Sequence, residues 1–138
     1  MPRRKYKVIL DTNVLVSGVL SEGSSFELLA LWKKGCFDII VCAEILEEYF
    51  SVLSRDKFCL PAGLVKTILN ELSQNGIRIV KTSRIKIIKN DPADNKFIEA
   101  AFDANADYIV SGDKHLLKLS KFNNIPIISP NVFYNLLK

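Results

Sequence analysis

Short apolar runs that alternate with amphipathic segments constrain the fold of this chain more than any other feature. The first run, Tyr6–Asp11, is aliphatic and β-branched and ends at an aspartate, which predicts a buried strand. Similar runs recur along the chain, and between them apolar residues follow the spacing of a helix. Strands that alternate with helices predict a parallel sheet that is covered by helices on both faces.

The predicted elements follow the order β-α-β-α-α-β-α-β-(α)-β-α, where the brackets mark a short additional helix. After the first strand, the predicted strands are Cys36–Cys42, Ile77–Lys81, Tyr108–Ser111 and Ile125–Ile128. The predicted helices are Ser24–Gly35, Ala43–Leu53, Pro61–Asn75, Asp94–Ala104 and Pro130–Leu137. Ser24 or Ser25 is expected to cap the first helix and Gly35 to end it. Gly76 is expected to end the third helix.

These elements predict an α/β fold, a three-layer α/β/α sandwich with a central parallel sheet of about five strands. We expect a single domain over residues 1–138, because no linker, repeat or low-complexity segment interrupts the pattern. The segment Arg84–Lys89 alternates basic and apolar residues, as an edge strand or the lead-in to a loop does.

Composition agrees with an ordinary folded domain, since 49% of the residues are hydrophobic and 25% are charged. No apolar run approaches the ~20 residues of a membrane span, and the N-terminal apolar stretch is too short for a signal peptide. We therefore expect a cytoplasmic protein without membrane contact. Three cysteines without metal-type spacing, Cys36, Cys42 and Cys59, predict reduced and mostly packed thiols.

The net charge of +4 and the pI near 9.0 suit a polyanionic partner, although many small proteins are basic without one.

The motifs of several function classes are absent from the sequence. No glycine-rich phosphate loop follows the first strand, which argues against dinucleotide cofactors and P-loop chemistry. No G-x-S-x-G segment is present, so a serine triad is poorly supported.

Two aspartates follow predicted strands directly. Asp11 closes the first strand, and Asp113 closes the strand that begins at Tyr108. Ligands of parallel α/β sheets bind outside the carboxyl ends of the strands, so both carboxylates are expected at one edge. Either aspartate alone could merely cap a turn or a helix. Two converging carboxylates are costly unless a cation lies between them, and a hard divalent metal is the simplest partner.

Further acidic residues lie near the starts of two predicted helices. Asp91, Asp94 and Asn95 surround the first turn of the helix that runs to Ala104, where an aspartate is ordinarily an N-cap. These helix starts should face the same edge of the sheet as the two strand-end aspartates.

The helix after the second strand carries three glutamates. Glu44 and Glu48 are four residues apart and share a face, whereas Glu47 lies about 100° away from that face. Apolar residues flank Glu48, which favours a position at the border of the buried stripe. Any one of these glutamates alone is more typical of a solvated helix surface.

A carboxylate cluster of this kind can perform phosphodiester hydrolysis. One or two Mg²⁺ or Mn²⁺ ions held by the acids would activate water and stabilise the developing negative charge. Both metals prefer oxygen ligands, and the lack of a Cys/His cluster argues against zinc. Basic side chains would then bind the nucleic-acid backbone. The candidates are Arg3, Arg4, Lys5, Arg55, Lys57, Lys86, Lys89, Lys96 and Lys114.

Three segments, VILDTNVLVSG, VCAEILEEYFSVLSR and DPADNKFIEAAFDANADYIVSGDKHLL, resemble the motifs of the PIN domain in their family order. The resemblance extends from about Lys7 to about Leu137. It is more specific for small bacterial and archaeal PIN proteins, the VapC-like ribonucleases that act as toxins of toxin–antitoxin pairs. It implies an α/β/α sandwich and a quartet of acids that binds Mg²⁺ or Mn²⁺.

The resemblance assigns the catalytic and metal-binding quartet residue by residue. Its members are Asp11, Glu48, Asp94 and Asp113. The supporting residues that it implies are Thr12, Asn13, Asn95 and Ser111. Glu44 is the alternate for the glutamate, and Asp91 is the alternate for the third aspartate because the register there is ambiguous.

One departure from the family pattern concerns the last motif. Many relatives carry a further acid two residues after the final aspartate, where this chain has His115. His115 is therefore an alternate metal ligand or phosphate contact, with a bystander role as the other interpretation.

Together these features predict a Mg²⁺- or Mn²⁺-dependent endoribonuclease that is the toxin of a toxin–antitoxin pair. The implied partners are an RNA substrate, an antitoxin protein and a second copy of the chain in a homodimer. Four uncompensated acids would repel one another, so the metal should stabilise the protein. One alternative is a non-catalytic PIN-like module that binds RNA or protein. A receiver-type phosphoacceptor domain is a weaker alternative, because the third strand lacks an aspartate and the last lacks a lysine.

Overall fold

The computed structural model describes residues 5–82 and 95–138. The strands are β1 (Lys7–Leu10), β2 (Asp38–Val41), β3 (Ile77–Arg78), β4 (Tyr108–Val110), β5 (Lys121–Phe122) and β6 (Ile125–Ile128). The helices are α1 (Thr12–Leu20), α2 (Ser24–Lys33), α3 (Ala43–Leu53), α4 (Ala62–Asn75), α5 (Asn95–Ala104), α6 (Lys114–Leu119) and α7 (Pro130–Leu137). A short 3₁₀ helix spans Asp56–Phe58. These elements form the predicted three-layer α/β/α sandwich.

The sheet has the strand order β3-β2-β1-β4-β6-β5 and is parallel except at one edge. The expected parallel sheet of about five strands is confirmed, because β3, β2, β1, β4 and β6 are all parallel, and β5 adds an antiparallel edge strand to β6. Asn123 and Asn124 form the turn between these two strands with φ values of 46° and 66°. Asparagine tolerates this left-handed conformation, so the Asn-Asn pair was a usable hairpin signal.

The central strands are buried on both sides, which explains their continuous apolar sequences. Val8, Ile9 and Leu10 of β1 are at most 1% exposed. The neighbouring strands β2 and β4 are also apolar and buried, and α5 packs directly on β1, β2 and β4. Such strands show no polar-apolar alternation, because helices cover both faces of the sheet.

Helix α1 is an element that the sequence pattern did not predict. Its sequence, TNVLVSGVL, contains β-branched residues and a glycine, all of which have low helix propensity. Asp11 caps the helix by accepting a hydrogen bond from the backbone N–H of Val14. Burial of Val14, Leu15 and Val16 in the core stabilises α1 despite its weak local preference.

Smaller differences concern the ends of elements. Gly23, and not Ser24 or Ser25, precedes the first residue of α2 as its N-cap. The predicted strands that begin at Cys36 and Ile77 are shorter than expected, since only Asp38–Val41 and Ile77–Arg78 pair with neighbours. The segment Arg84–Lys89 lies outside the described residues.

The three cysteines differ in their exposure. All three thiols are free, but Cys36 and Cys59 are exposed and only Cys42 is buried, so the prediction of mostly packed thiols was wrong.

Among the described helices, no single one is long and apolar enough to cross a membrane. Only α1 and α2 together, bent by 90°, reach the required length and apolarity.

Candidate active site

The centre of the sheet brings two sequence-predicted residues together. In the parallel pair β1 and β4, Leu10 lies opposite Val110, and the next residues along the two strands are Asp11 and Ser111. The backbone N–H of Asp11 donates to the carbonyl of Val110 at 3.0 Å, which carries the pairing one residue further. β1 lies between β2 and β4, so the order of strands along the sheet reverses direction there. The carboxyl ends of β1 and β4 therefore form the topological switch point of the sheet.

Asp11 is buried and both of its carboxylate oxygens accept hydrogen bonds. Its side chain caps α1 through the Val14 N–H at 3.0 Å, and its second oxygen accepts a hydrogen bond from the hydroxyl of Ser111. Only 3% of the residue is exposed. The carboxylate of Asp11 therefore caps α1 and also lies where the sequence predicts a metal site.

Ser111 connects the two strand-end aspartates. It is fully buried, its hydroxyl donates to Asp11, and the same oxygen accepts the backbone N–H of Asp113 at 2.9 Å. The carboxylate of Asp113 accepts the backbone N–H of Leu116 at 3.4 Å at the start of α6. The hydroxyl thus orients one aspartate directly and the other through its backbone.

Glu48 approaches the same place from α3. One of its oxygens accepts the hydroxyl of Thr12, and the other accepts the ammonium of Lys96 at 2.7 Å. The side chains of Glu48 and Lys96 are 20% and 25% exposed. This position agrees with the border of the buried stripe that the flanking apolar residues predicted.

Asp11, Glu48 and Asp113 line a cavity of about 790 Å³ at the carboxyl edge of the sheet. Its walls come from the start of α1 and its cap, from α3 and the residues that follow it, from the segment after β3, from α5 and from the segment after β4. The lining residues are Asp11, Thr12, Asn13, Glu44, Glu47, Glu48, Ser51, Val52, Arg55, Lys81, Lys96, Glu99 and Asp113. Glu47 therefore faces the cavity together with Glu44 and Glu48, although its helical angle differs from theirs.

Two residues in this cavity were missed by the sequence analysis. Lys81 places its ammonium 3.0 Å from Glu99 and 3.8 Å from Glu44. The side chains of Lys81 and Glu99 are only 13% and 10% exposed. Glu99 lies four residues after Asn95, on the same face of α5, and that spacing was an available signal. The lysine gave no local signal, because a basic residue after a short strand is typically solvated.

The ion pairs correct one expectation about the charges of the site. Of the four acids that were expected to be uncompensated, Glu48 pairs with Lys96. Two further acids of the cavity, Glu44 and Glu99, both lie near Lys81. Asp11, by contrast, makes no ion pair with a cation within the part of the chain that the structure describes. The buried aspartate is therefore the acid for which an added cation would matter most.

Burial raises the pKa of Asp11 above its ordinary value, and the negative charges of Asp113 and Glu48 raise it further. The hydrogen bonds from Ser111 and Val14 act in the opposite direction and stabilise the ionised form. Burial predominates, so the ionised carboxylate is less stable here than in water. A cation placed beside Asp11 would remove this penalty.

This shift predicts a pH dependence of stability in the metal-free protein. A carboxyl group whose pKa is raised by folding destabilises the folded state as the pH rises through the folded pKa. We expect metal-free Asp11→Asn to melt several degrees above the native protein near pH 7, with the difference shrinking as the pH falls toward 3.8. Thermal melts in EDTA across this range measure the effect. A constant difference, or a less stable variant at pH 7, would contradict the assignment.

The remaining predicted residues have different positions. Asn13 is exposed and lines the cavity, but it makes no hydrogen bond to a carboxylate among the described residues. Asn95 is buried as the first residue of α5. Asp91 and Asp94 lie outside the described residues, and His115 belongs to α6 but its side chain is likewise not described.

The donor set fits a hard divalent metal in its chemistry. Asp11, Asp113 and Glu48 supply oxygen atoms of the kind that Mg²⁺ and Mn²⁺ prefer, and the buried charge of Asp11 calls for a cation. Within residues 5–82 and 95–138, no three such side chains already converge as a metal-binding group. Glu48 is held by Lys96, and the third predicted aspartate is not among the described residues.

An α/β/α sandwich with a carboxylate-lined cavity at its switch point defines a class of small parallel-sheet domains suited to phosphoryl chemistry. This chain belongs to the PIN domain family, whose family model matches residues 7–115. PIN domains are generally nucleases, and PIN nucleases usually use divalent metals.

Two known proteins show how far the likeness extends. The chain is 30% identical over 140 residues to the uncharacterized protein MJ1680 of Methanocaldococcus jannaschii. The aligned region covers 94% of this chain and 89% of that protein. Its fold is similar to a chain in the crystal structure of VapBC2 from Rickettsia felis bound to a DNA fragment from their promoter. That match has a TM-score of 0.59 and 17% identity and covers 89% of this chain and 98% of the other. The likeness supports the fold.

Proposed function

We propose that this protein is a Mg²⁺- or Mn²⁺-dependent endoribonuclease that hydrolyses RNA phosphodiester bonds. The observation that carries the proposal is the shared cavity of Asp11, Glu48 and Asp113 at the carboxyl edge of the sheet. Membership of a family that generally consists of nucleases supports the same reaction. The activity is assigned to the whole chain as one domain over residues 1–138.

In this proposal Asp11 and Asp113 hold the metal together with Asp94, with Glu48 as the fourth acid. The bound metal would activate water and stabilise the negative charge that develops on the phosphate. Ser111 would keep Asp11 in a fixed orientation through its hydrogen bond, and it would position Asp113 through the backbone N–H. Thr12 would hold Glu48 in the same way.

Arg55 is the cation in the cavity best suited to bind the RNA backbone. It is exposed between α3 and the 3₁₀ helix and makes no ion pair with the described residues, whereas Lys81 and Lys96 are each engaged by carboxylates. A guanidinium presents several donors in a plane and matches phosphate geometry well. The net charge of +4 agrees with a polyanionic substrate.

We further propose that the protein is the toxin of a toxin–antitoxin pair and acts in the cytoplasm. The structurally similar chain occurs in a VapBC2 complex, which supports an antitoxin protein as a partner. A homodimer is proposed on the family resemblance alone. His115, Asp91 and Glu44 remain alternate ligands in this scheme, and Asn13 and Asn95 remain supporting residues.

A non-catalytic PIN-like binding module is the second candidate. The observation that favours it is the occupied state of Glu48, whose two oxygens already accept hydrogen bonds from Lys96 and Thr12. In such a module the ion pairs would stabilise the fold, and the cavity would bind RNA or protein without hydrolysis.

Cleavage of total RNA with Mn²⁺ or with EDTA distinguishes the two candidates. We expect discrete RNA fragments with Mn²⁺ and at least about a hundredfold slower cleavage in EDTA, because the acids require a cation to activate water. Sequencing of the fragment ends identifies the cleaved positions, and a DNA of matched sequence tests the choice of RNA. RNA binding without cleavage at millimolar Mn²⁺ would favour the binding module.

A further inference from the structure

We propose that Lys96 is an intramolecular counter-ion that occupies Glu48 in the metal-free site and is displaced from it when the divalent metal binds. Lys96 would then set the metal affinity of the site. This inference rests on the proposed function, because it takes Glu48 as one of the acids that face the metal. It assigns to a lysine of α5 a positioning role that the sequence motifs do not provide.

Glu48 has a partner on each of its two carboxylate oxygens. Its Oε1 atom lies 2.7 Å from the Nζ atom of Lys96, and its Oε2 atom accepts the Thr12 hydroxyl. Both charged side chains are about three quarters buried, at 20% and 25% exposure. A short contact at this burial is stronger than a solvent-exposed ion pair, because water screens it less. A divalent metal bound to Glu48 would lie close to the Lys96 ammonium, and the repulsion between the two cations would favour displacement of the lysine.

The pair joins two helices at the edge of the cavity. Glu48 belongs to α3 and Lys96 belongs to α5, 48 positions later in the chain, and both side chains line the cavity. The packing of α3 against α5 therefore places the ammonium beside the carboxylate that the proposed metal would use.

The other cations of the cavity do not fill the same role. Lys81 contacts Glu99 at 3.0 Å and Glu44 at 3.8 Å, and neither of these acids belongs to the predicted quartet. Arg55 is exposed and makes no ion pair with the described residues. Lys96, by contrast, contacts Glu48, which is a member of the predicted quartet.

Calorimetric titration of the RNA-free protein with Mn²⁺ tests the inference without measuring activity. We expect Lys96→Met to bind Mn²⁺ on the order of tenfold more tightly than the native protein, because a like charge leaves the site and Glu48 loses its competing partner. Lys96→Arg keeps the charge and should bind with nearly native affinity. Lys33→Met removes a lysine from the exposed pair with Glu71 and controls for the change in net charge.

The outcomes separate this inference from the proposed function. Native protein that binds Mn²⁺, together with Lys96→Met that binds it no more tightly, would overturn the counter-ion role and leave the metal site standing. No binding by the native protein or by any variant at millimolar Mn²⁺ would overturn both. Binding by Lys96→Met alone would support the inference, since the lysine would then block the site.

Nuclear magnetic resonance of the lysine ammonium groups provides a second measurement that does not require Lys96→Met to fold. In the metal-free protein the Lys96 ammonium should give a protected signal, which Lys96→Arg identifies by its loss. Saturating Mg²⁺ should remove that protection, because the lysine leaves Glu48. A Lys96 signal that stays protected at saturating Mg²⁺ would contradict displacement.

Discussion

Replacing Asp11 by asparagine is expected to slow Mn²⁺-dependent RNA cleavage by on the order of 10³-fold while the protein stays folded. Asparagine retains an oxygen that can accept the Val14 N–H, so the cap of α1 survives. What is lost is the negative charge beside Ser111 that the proposed metal requires. Initial cleavage rates at saturating Mn²⁺ measure the effect, and circular dichroism melts verify the fold.

A matched control exists at the opposite end of the sheet. Asp38 begins β2, whereas Asp11 follows the end of β1, and the two strands are parallel. Asp38→Asn makes the same chemical change outside the cavity and should cleave RNA at the native rate. Substantial Mn²⁺-dependent cleavage by Asp11→Asn would show that the catalytic carboxylates lie elsewhere.

Replacing Gly76 by alanine is expected to destabilise the fold by about 2–3 kcal/mol, because a Cβ atom there meets backbone that cannot move aside. An ideal Cβ would lie 2.5 Å from the carbonyl oxygen of Leu72 and 2.9 Å from that of Ile39. Both atoms belong to the backbone, so either α4 or β2 would have to shift. Urea unfolding followed by circular dichroism measures the loss.

Gly63 provides the matched control on the same helix. A Cβ atom at Gly63 would meet nothing within 4 Å, and alanine is a better helix former than glycine. Gly63→Ala should therefore leave stability unchanged or increase it by up to about 1 kcal/mol. Equal effects of the two substitutions would show that close packing does not explain the requirement at Gly76.

The sequence located the end of α4 at Gly76 correctly, but it did not show why a glycine is required there. The sequence predicts that this glycine ends the helix, and the structure agrees, since Gly76 follows the last residue of α4. Its φ of −82° is not the left-handed conformation that usually favours glycine at a helix end. The carbonyl oxygens of Leu72 in α4 and Ile39 in β2 leave no room for a Cβ atom instead. The contact with β2 is tertiary and leaves no local signal in the sequence.

Most of the fold was predictable because the hydrophobic pattern is local and repeats along the chain. The bounds of α3, β6 and α7 agree with the predicted segments Ala43–Leu53, Ile125–Ile128 and Pro130–Leu137. Helix α1 was not predictable in this way, because its β-branched residues prefer strands and only burial makes the helix stable.

The candidate site was predictable in outline for a related reason. Asp11 and Asp113 end parallel strands, and parallel topology alone places such residues at one edge. Glu48 was less certain, because three glutamates share α3 and all three line the cavity. The contact with Thr12 distinguishes Glu48, and it joins residues 36 positions apart.

By itself the sequence determined the alternation of strands and helices, the position of the strand-end aspartates and the family. Each of these depends on residues that are neighbours in the chain or on topology that follows from their order. Only the tertiary structure decided which charges are paired. The contact between Lys96 and Glu48 spans 48 positions and requires α3 and α5 to pack beside the same edge. Such a pair depends on the relative placement of two helices, which periodicity does not encode.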